Sequence, residues 1–366
     1  MLKNKFQLIL ISFIVGNLIP ISFYLYREKI KFIFPNWQIL NNLRVYRKVR
    51  RVDNINDFKW FIPSQNHNIK TKDDLDSIRI KLKDHIIDRK SYKLELIKNF
   101  YDDEFMDFEN LDSLSLLKMK NINKVDAYAR ILTPKNPNKK LLIFHEGHTD
   151  AYFSKSALKF FNKKGYQIII LEMPLFGLNP PLSTSNGINS AHESLIKFNT
   201  KEKSFLSLFI SPIVISLDYI LENKSFDSIS MVGISGGGWS TVLAAAADER
   251  INYSFPIAGT LPLPLRTYDF GDLEQFFPTF YNEFPYLDLY LLGSTGHKRY
   301  QMQISFSNDP CCFSGNRSLI YKEYLQKKAK TLNGSFEIFI NQNAYHHSVS
   351  KKISKKIHNK ILYLAN

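Results

Sequence analysis

Residues 228–247 read Ser-Ile-Ser-Met-Val-Gly-Ile-Ser-Gly-Gly-Gly-Trp-Ser-Thr-Val-Leu-Ala-Ala-Ala-Ala. An apolar run fit for a buried strand passes through Gly233-Ile-Ser235-Gly-Gly237 into a run of small residues fit for a closely packed helix. A strand-to-helix turn this sharp forces strained backbone angles on Ser235. It also leaves no room for a side chain at Gly233 or Gly237. The serine hydroxyl is then presented at the carboxyl edge of a sheet. The N–H of Gly236 opens the following helix, where the partial positive charge favours a developing anion. The same glycines do not make a phosphate loop, because neither Gly-x-x-x-x-Gly-Lys-Ser/Thr nor Gly-x-Gly-x-x-Gly is present.

The pattern around this segment predicts an α/β fold with a mostly parallel sheet flanked by helices. Short apolar runs at Val125–Leu132, Lys140–Phe144, Tyr166–Glu172, Ser228–Val232, Tyr253–Ala258, Tyr300–Phe306 and Ser335–Ile340 read as strands. Between them, Ser154–Lys164, Ser204–Glu222 and Trp239–Ala247 read as helices, and alternation of this kind implies parallel pairing. Pro212 and Asp218 make Ser204–Glu222 a buried crossover helix rather than a membrane span. Three regions follow from the pattern: residues 1–30 as an N-terminal transmembrane anchor, 31–120 as a helical extension, and 121–366 as the α/β domain. The extension has helical stretches at Asp73–Lys90 and Lys93–Phe108, and its acidic Asp102, Asp103, Glu104 and Asp107 read as a solvated helix face. The stretch at about 259–298 is rich in Phe, Tyr, Leu and Pro and reads as a cap-like insertion.

The elbow at Ser235 resembles that of the α/β-hydrolases, and other landmarks appear in the family's order. Leu141-Leu-Ile-Phe-His-Glu-Gly-His-Thr-Asp150 is similar to the strand and His-Gly loop that supplies a second oxyanion donor. One residue separates His145 from Gly147 here. Leu171-Glu-Met-Pro-Leu-Phe-Gly177 is similar to the next strand end, with Glu172 and Leu175 departing from the usual Asp and Gly. The resemblance covers about residues 125–366.

It implies that the acid and base of a Ser–acid–His triad follow Ser235 in the chain. The acid should sit just past the next-to-last strand, where Asp309 precedes Pro310. Asp269, Asp272 and Asp288 fall in the irregular stretch and fit less well. The base should follow the last strand, where His346 and His347 stand side by side. His347-Ser-Val-Ser matches the family's spacing before the final helix, so His347 is the first choice and His346 the second; His358 falls inside that helix. The oxyanion hole would be the N–H groups of Gly236 and His148. The implied activity is cleavage of a carboxylic ester or thioester, from a small-molecule, lipid or sugar substrate, through an acyl-enzyme on Ser235. An acyltransferase would use the same triad, and a binding protein could keep the fold without the chemistry. The presence of all three residue types favours catalysis.

No cofactor or metal is expected. His145, Glu146 and His148 are one residue short of His-Glu-x-x-His, and Gly147 disfavours the helix that motif needs. Residues 6–26 carry no charge and are long enough to cross a bilayer, with basic residues on both sides and no small-x-small cleavage site following. They are expected to anchor the chain in a membrane. The formal net charge of +15 comes without a nucleic-acid motif, so nucleic acid is not an expected partner. The two cysteines, Cys311 and Cys312, are adjacent and supply neither a disulfide framework nor a CxxC site.

Overall fold

Along Leu141–Phe144, Leu141 and Ile143 join one apolar layer while Leu142 and Phe144 join another. Both sets are fully buried, as period-two alternation requires of a strand covered on both faces. Ile169 and Leu171 against Ile168 and Ile170 repeat the arrangement one strand away. The structure is a computed structural model that describes residues 55–366 apart from 149–153, 185–186, 190–191, 267–270, 310–312, 314, 343, 345 and 366. The described residues fall within one unit, Val52–Asn366.

In chain order the strands are β1 (Tyr92–Ile97), β2 (Leu111–Asn121), β3 (Ala127–Pro134), β4 (Lys140–His145), β5 (Gln167–Leu171), β6 (Leu182–Thr184), β7 (Gly187–Asn189), β8 (Ser228–Ile234), β9 (Tyr253–Ile257), β10 (Tyr300–Phe306) and β11 (Ser335–Asn341). The main sheet has nine strands in the order β1-β2-β3-β5-β4-β8-β9-β10-β11, and β6 and β7 form a separate hairpin. From β5 to β11 every pairing is parallel; β1, β2 and β3 are added antiparallel at one side.

The helices are α1 (Lys72–Ile86), α2 (Lys155–Lys163), α3 (Ser207–Leu221), α4 (Gly236–Ala247), α5 (Pro278–Glu283), α6 (Tyr286–Ser294), α7 (Leu319–Thr331) and α8 (Lys351–Ala365). One apolar layer holds residues of α1, α3, α4, α6 and α7; the other holds Ala157, Leu158 and Phe161 of α2 and Ile353, Ile357 and Ile361 of α8. The i, i+4 spacing of those three isoleucines gives α8 its single buried stripe. Helix α1 begins at a capping box, with Thr71 and Asp74 each bonding the other's backbone N–H. Helix α3 is buried on every side from Ser207 to Leu217, as expected of a crossover helix enclosed in the core.

Two expectations need correcting or placing. Lys93–Phe108 is not an α-helix: Tyr92–Ile97 is the outermost strand, a single 3-10 turn covers Asp103–Phe105, and β2 follows from Leu111. Residues 92–121 therefore extend the main sheet instead of forming a helical extension beside it. The alternation Tyr-Lys-Leu-Glu-Leu-Ile suits an edge strand with one wet face. The acidic residues after it pair with cations: Asp102 with Arg130, Glu104 with Lys155, and Asp107 with Lys155 and Lys159. The span expected over residues 6–26 lies outside the described residues, as do Cys311 and Cys312. Among the described residues no helix is long and apolar enough to cross a membrane.

Candidate active site

Ser235 stands between β8 and α4 with φ 55° and ψ −123°, a conformation costing on the order of 1–3 kcal/mol for a residue with a side chain. The neighbouring chain holds it there. Its N–H donates to the Ile257 carbonyl of β9 at 2.9 Å, and its own carbonyl accepts from the N–H of Gly238 at 2.9 Å and of Trp239 at 3.2 Å. The bareness of Gly237 is steric. A Cβ there would run into the His145 carbonyl and within 2.9 Å of the Gly147 nitrogen, so the head of α4 packs directly on the end of β4. Gly147 has φ +75°, and a Cβ on it would lie 2.5 Å from the Ile234 carbonyl.

The parallel register delivers Asp309 and His347 to the same sheet edge as Ser235. Ile234 of β8 pairs with Ile257 of β9, Ile257 with Ile304 of β10, and Phe306 of β10 with Asn341 of β11. Ser235, Asp309 and His347 thus all leave the carboxyl ends of adjoining parallel strands. The Nδ1 of His347 lies 2.6 Å from Oδ2 of Asp309, and the His347 backbone N–H donates to the same oxygen at 3.1 Å. Asp309 is 1 % exposed, while the His347 side chain keeps 18 %. A buried carboxylate accepts from Nδ1–H and so fixes the tautomer that leaves Nε2 as the basic nitrogen. His346, next to it, is exposed. Of the less favoured acids, Asp288 accepts from the backbone N–H groups of Asn68 and Ile69.

The chain is similar in structure to several solved esterases. Acetyl xylan esterase 1 from Thermoanaerobacterium sp. superposes with a TM-score of 0.53 at 15 % identity, covering 80 % of this chain and 94 % of that one. For a glucuronoyl esterase from Solibacter usitatus the TM-score is 0.54 at 10 % identity, with 80 % and 92 % covered. A methylesterase, BT1017, gives 0.59 at 14 % identity over 83 % of this chain and 68 % of that one. This is the α/β-hydrolase fold. No protein-family profile matches the chain, and no curated protein does.

In this hydrolase fold the loop after β4 lies beside the elbow. Glu146 N–H donates to the Leu171 carbonyl at 3.0 Å, and the Gly147 carbonyl accepts from Met173 N–H at 3.1 Å, tying the loop to the end of β5. The His148 ring rests on Gly236, where a Cβ would come within 2.7 Å of it. His145, read beside His148 in sequence, is separate. It is fully buried, and its Nδ1 accepts from Gly147 N–H at 3.2 Å. Burial pushes it down to about 3, with a smaller contribution from His148. Glu172, where the family usually has Asp, is buried, pairs with Arg130 at 2.9 Å and accepts from Leu178 N–H at 2.8 Å, closing the turn after β5.

Two residues that sequence reasoning did not single out, His192 and Glu274, meet His148. The His148 Nε2 lies 3.4 Å from His192 Nδ1 and 3.5 Å from Glu274 Oε1, and His192 Nδ1 lies 3.0 Å from Glu274 Oε1. His192 Nε2 donates to the Pro174 carbonyl at 2.9 Å, so a proton on Nδ1 makes the ring an imidazolium facing a carboxylate. Burial would lower His192, yet Glu274 outweighs it and holds the ring above the ordinary imidazole range. Burial would likewise raise Glu274, but the hydrogen bonds and charge of His148 and His192 keep it at about 2. Neither residue sits in a motif; only folding brings 148, 192 and 274 together.

The aromatic stretch expected to cap the site is largely packed. Trp239 Nε1–H donates to the Tyr281 hydroxyl at 2.6 Å, and Tyr281 stacks on Tyr286 with ring centroids 4.7 Å apart. Arg266 lies over the rings of Tyr286 and Phe313. The Trp239–Tyr281 bond ties α5 to α4.

Proposed function

We propose that this chain is a serine esterase that cleaves a carboxylic ester through an acyl-enzyme on Ser235. The observation that supports it most is the hydrogen-bonded Asp309–His347 pair, at the same sheet edge as a serine with strained backbone. In this reading Nε2 of His347 takes the proton from Ser235 Oγ as the oxygen attacks the ester carbonyl. Asp309 stabilises the imidazolium that forms. The backbone N–H groups of Gly236 and His148 receive the oxyanion, aided by the positive end of α4. The tetrahedral intermediate collapses as His347 protonates the departing alcohol. Water, deprotonated by the same histidine, then releases the acid.

Sugar-borne acyl or methyl esters are the first substrates to try, since the structural neighbours include acetyl xylan, glucuronoyl and methyl esterases. The test is labelling with a fluorophosphonate probe followed by turnover on a panel of acetylated sugars, uronic acid methyl esters and simple acyl esters. A labelled serine other than Ser235, or no turnover of any ester, would count against the reading.

We further propose that residues 6–26 tether the enzyme to a membrane, on the strength of their length and lack of charge. The full chain should then stay with membranes through washes in high salt and at high pH. Release by salt alone would leave only attraction through basic charge.

A further inference from the structure

We propose that His148, His192 and Glu274 bind a divalent transition-metal ion of the zinc class beside the elbow, with Asp272 as a fourth ligand.

The three donor atoms stand 3.0, 3.4 and 3.5 Å apart. Atoms bound to zinc at roughly 2.0–2.1 Å in a tetrahedron stand about 3.3 Å apart. The point equidistant from all three lies about 1.9 Å from each, so an ion displaced slightly from their plane meets zinc's bond lengths. That displacement points a fourth position away from the plane, as a tetrahedral ion needs. Asp272 Oδ2 lies 3.2 Å from His148 Nε2 but outside the close cluster of three, so its exposed side chain would turn inward to complete the set.

The surroundings are those of a ligand set. His192 Nε2–H is committed to the Pro174 carbonyl at 2.9 Å, the outer hydrogen bond that orients a metal-binding imidazole, and the ion would displace the proton from Nδ1 to take that nitrogen as ligand. Glu274 is completely buried, and among the described residues its second oxygen, Oε2, has no hydrogen-bond partner. A buried carboxylate oxygen left without a donor is costly unless a cation takes its place. The two inner ligands are sealed, His192 at 4 % and Glu274 at 0 % side-chain exposure, while Asp272 at 52 % leaves an entry path. Two nitrogen and two carboxylate donors suit zinc, cobalt or nickel better than magnesium or calcium. A bound ion would cross-link the loop after β4, the segment before α3 and the stretch after β9. These lie far apart in sequence, so the clip would be felt in stability.

The experiment uses the full chain, stripped with a chelator and titrated with cobalt(II) while the visible spectrum is recorded; zinc content before stripping is measured by elemental mass spectrometry. One equivalent of metal and the intense bands of four-coordinate cobalt are expected, with zinc displacing the cobalt and raising Tm. Glu274→Gln and His192→Gln should abolish the spectrum, and His346→Ala should retain it. Asp272→Asn, at an exposed side chain that leaves the fold intact, should weaken cobalt binding by at least the roughly 10–100-fold that loss of even an outer partner costs. Folded wild type that gives no such spectrum would overturn the proposal. So would an unchanged spectrum in both Asp272→Asn and Glu274→Gln.

Discussion

His347 and the carboxylate of Asp309 meet twice: Nδ1 and the backbone N–H of the histidine converge on one oxygen, at 2.6 and 3.1 Å. The backbone contact fixes where the residue sits and the ring contact fixes how it is turned. Asp309 and His347 are thereby held together beyond the ends of two paired strands, β10 and β11.

His347→Ala should therefore lower kcat by about 10²–10⁴-fold, as loss of a positioned base does, while the exposed His346→Ala stays near wild type. Asp309→Asn should fall with His347→Ala, because an amide can present N–H to Nδ1 and favour the wrong tautomer. Steady-state turnover of the best ester in the panel checks both. Greater damage from His346→Ala would shift the base by one residue.

Packing at the elbow gives a stability prediction. Gly237→Ala places a methyl group against the His145 carbonyl and the Gly147 nitrogen, both backbone and unable to swing aside. The cost should be about 1–3 kcal/mol or more, as for other overpacked interiors, with activity lost in parallel. Urea unfolding of the variant beside wild type measures it.

His145 gives a pH prediction. Burial lowers it from 6.5 to about 3, so between those values the unfolded chain takes up a proton that the folded chain refuses. Its contribution is intact above about pH 6.5 and lost as pH falls, amounting to about 2 kcal/mol between roughly pH 7 and 5. His67, pushed down to about 4 chiefly by burial, adds in the same direction. His145→Asn keeps an acceptor for Gly147 N–H and should flatten the dependence of stability on pH across this range. An equally steep dependence in that variant would remove His145 as a cause.

The elbow was legible in sequence because its requirement is local: two glycines spaced around a serine between a strand and a helix. That Asp309 and His347 stand beyond the ends of β10 and β11 was legible from chain order once those strands were found at Tyr300 and Ser335, and parallel register brings the two into contact. Strands β1 and β2 were missed. Leu94 and Leu96 alternate with Lys93 and Glu95, but such a short edge strand among charges also reads as helix, and only pairing with β2 decides it. His192 and Glu274 had no local signal at all. One stands in the irregular chain before α3 and the other in the stretch after β9, and each acquires meaning only from the buried neighbour that folding supplies. The aromatic residues at 259–298 carried a composition signal that fits a cap and a core equally; the Trp239–Tyr281–Tyr286 contacts assign much of it to packing.

The most direct test of the account is Ser235→Ala, followed by fluorophosphonate labelling and ester turnover in the same preparation. Ser235 is half-buried at the head of α4, and removing one oxygen should leave the fold and its Tm near wild type. The account requires that wild type be labelled at Ser235 and hydrolyse an ester, and that the variant be neither labelled nor active above the buffer rate. A folded Ser235→Ala protein that still turns over the ester would contradict it.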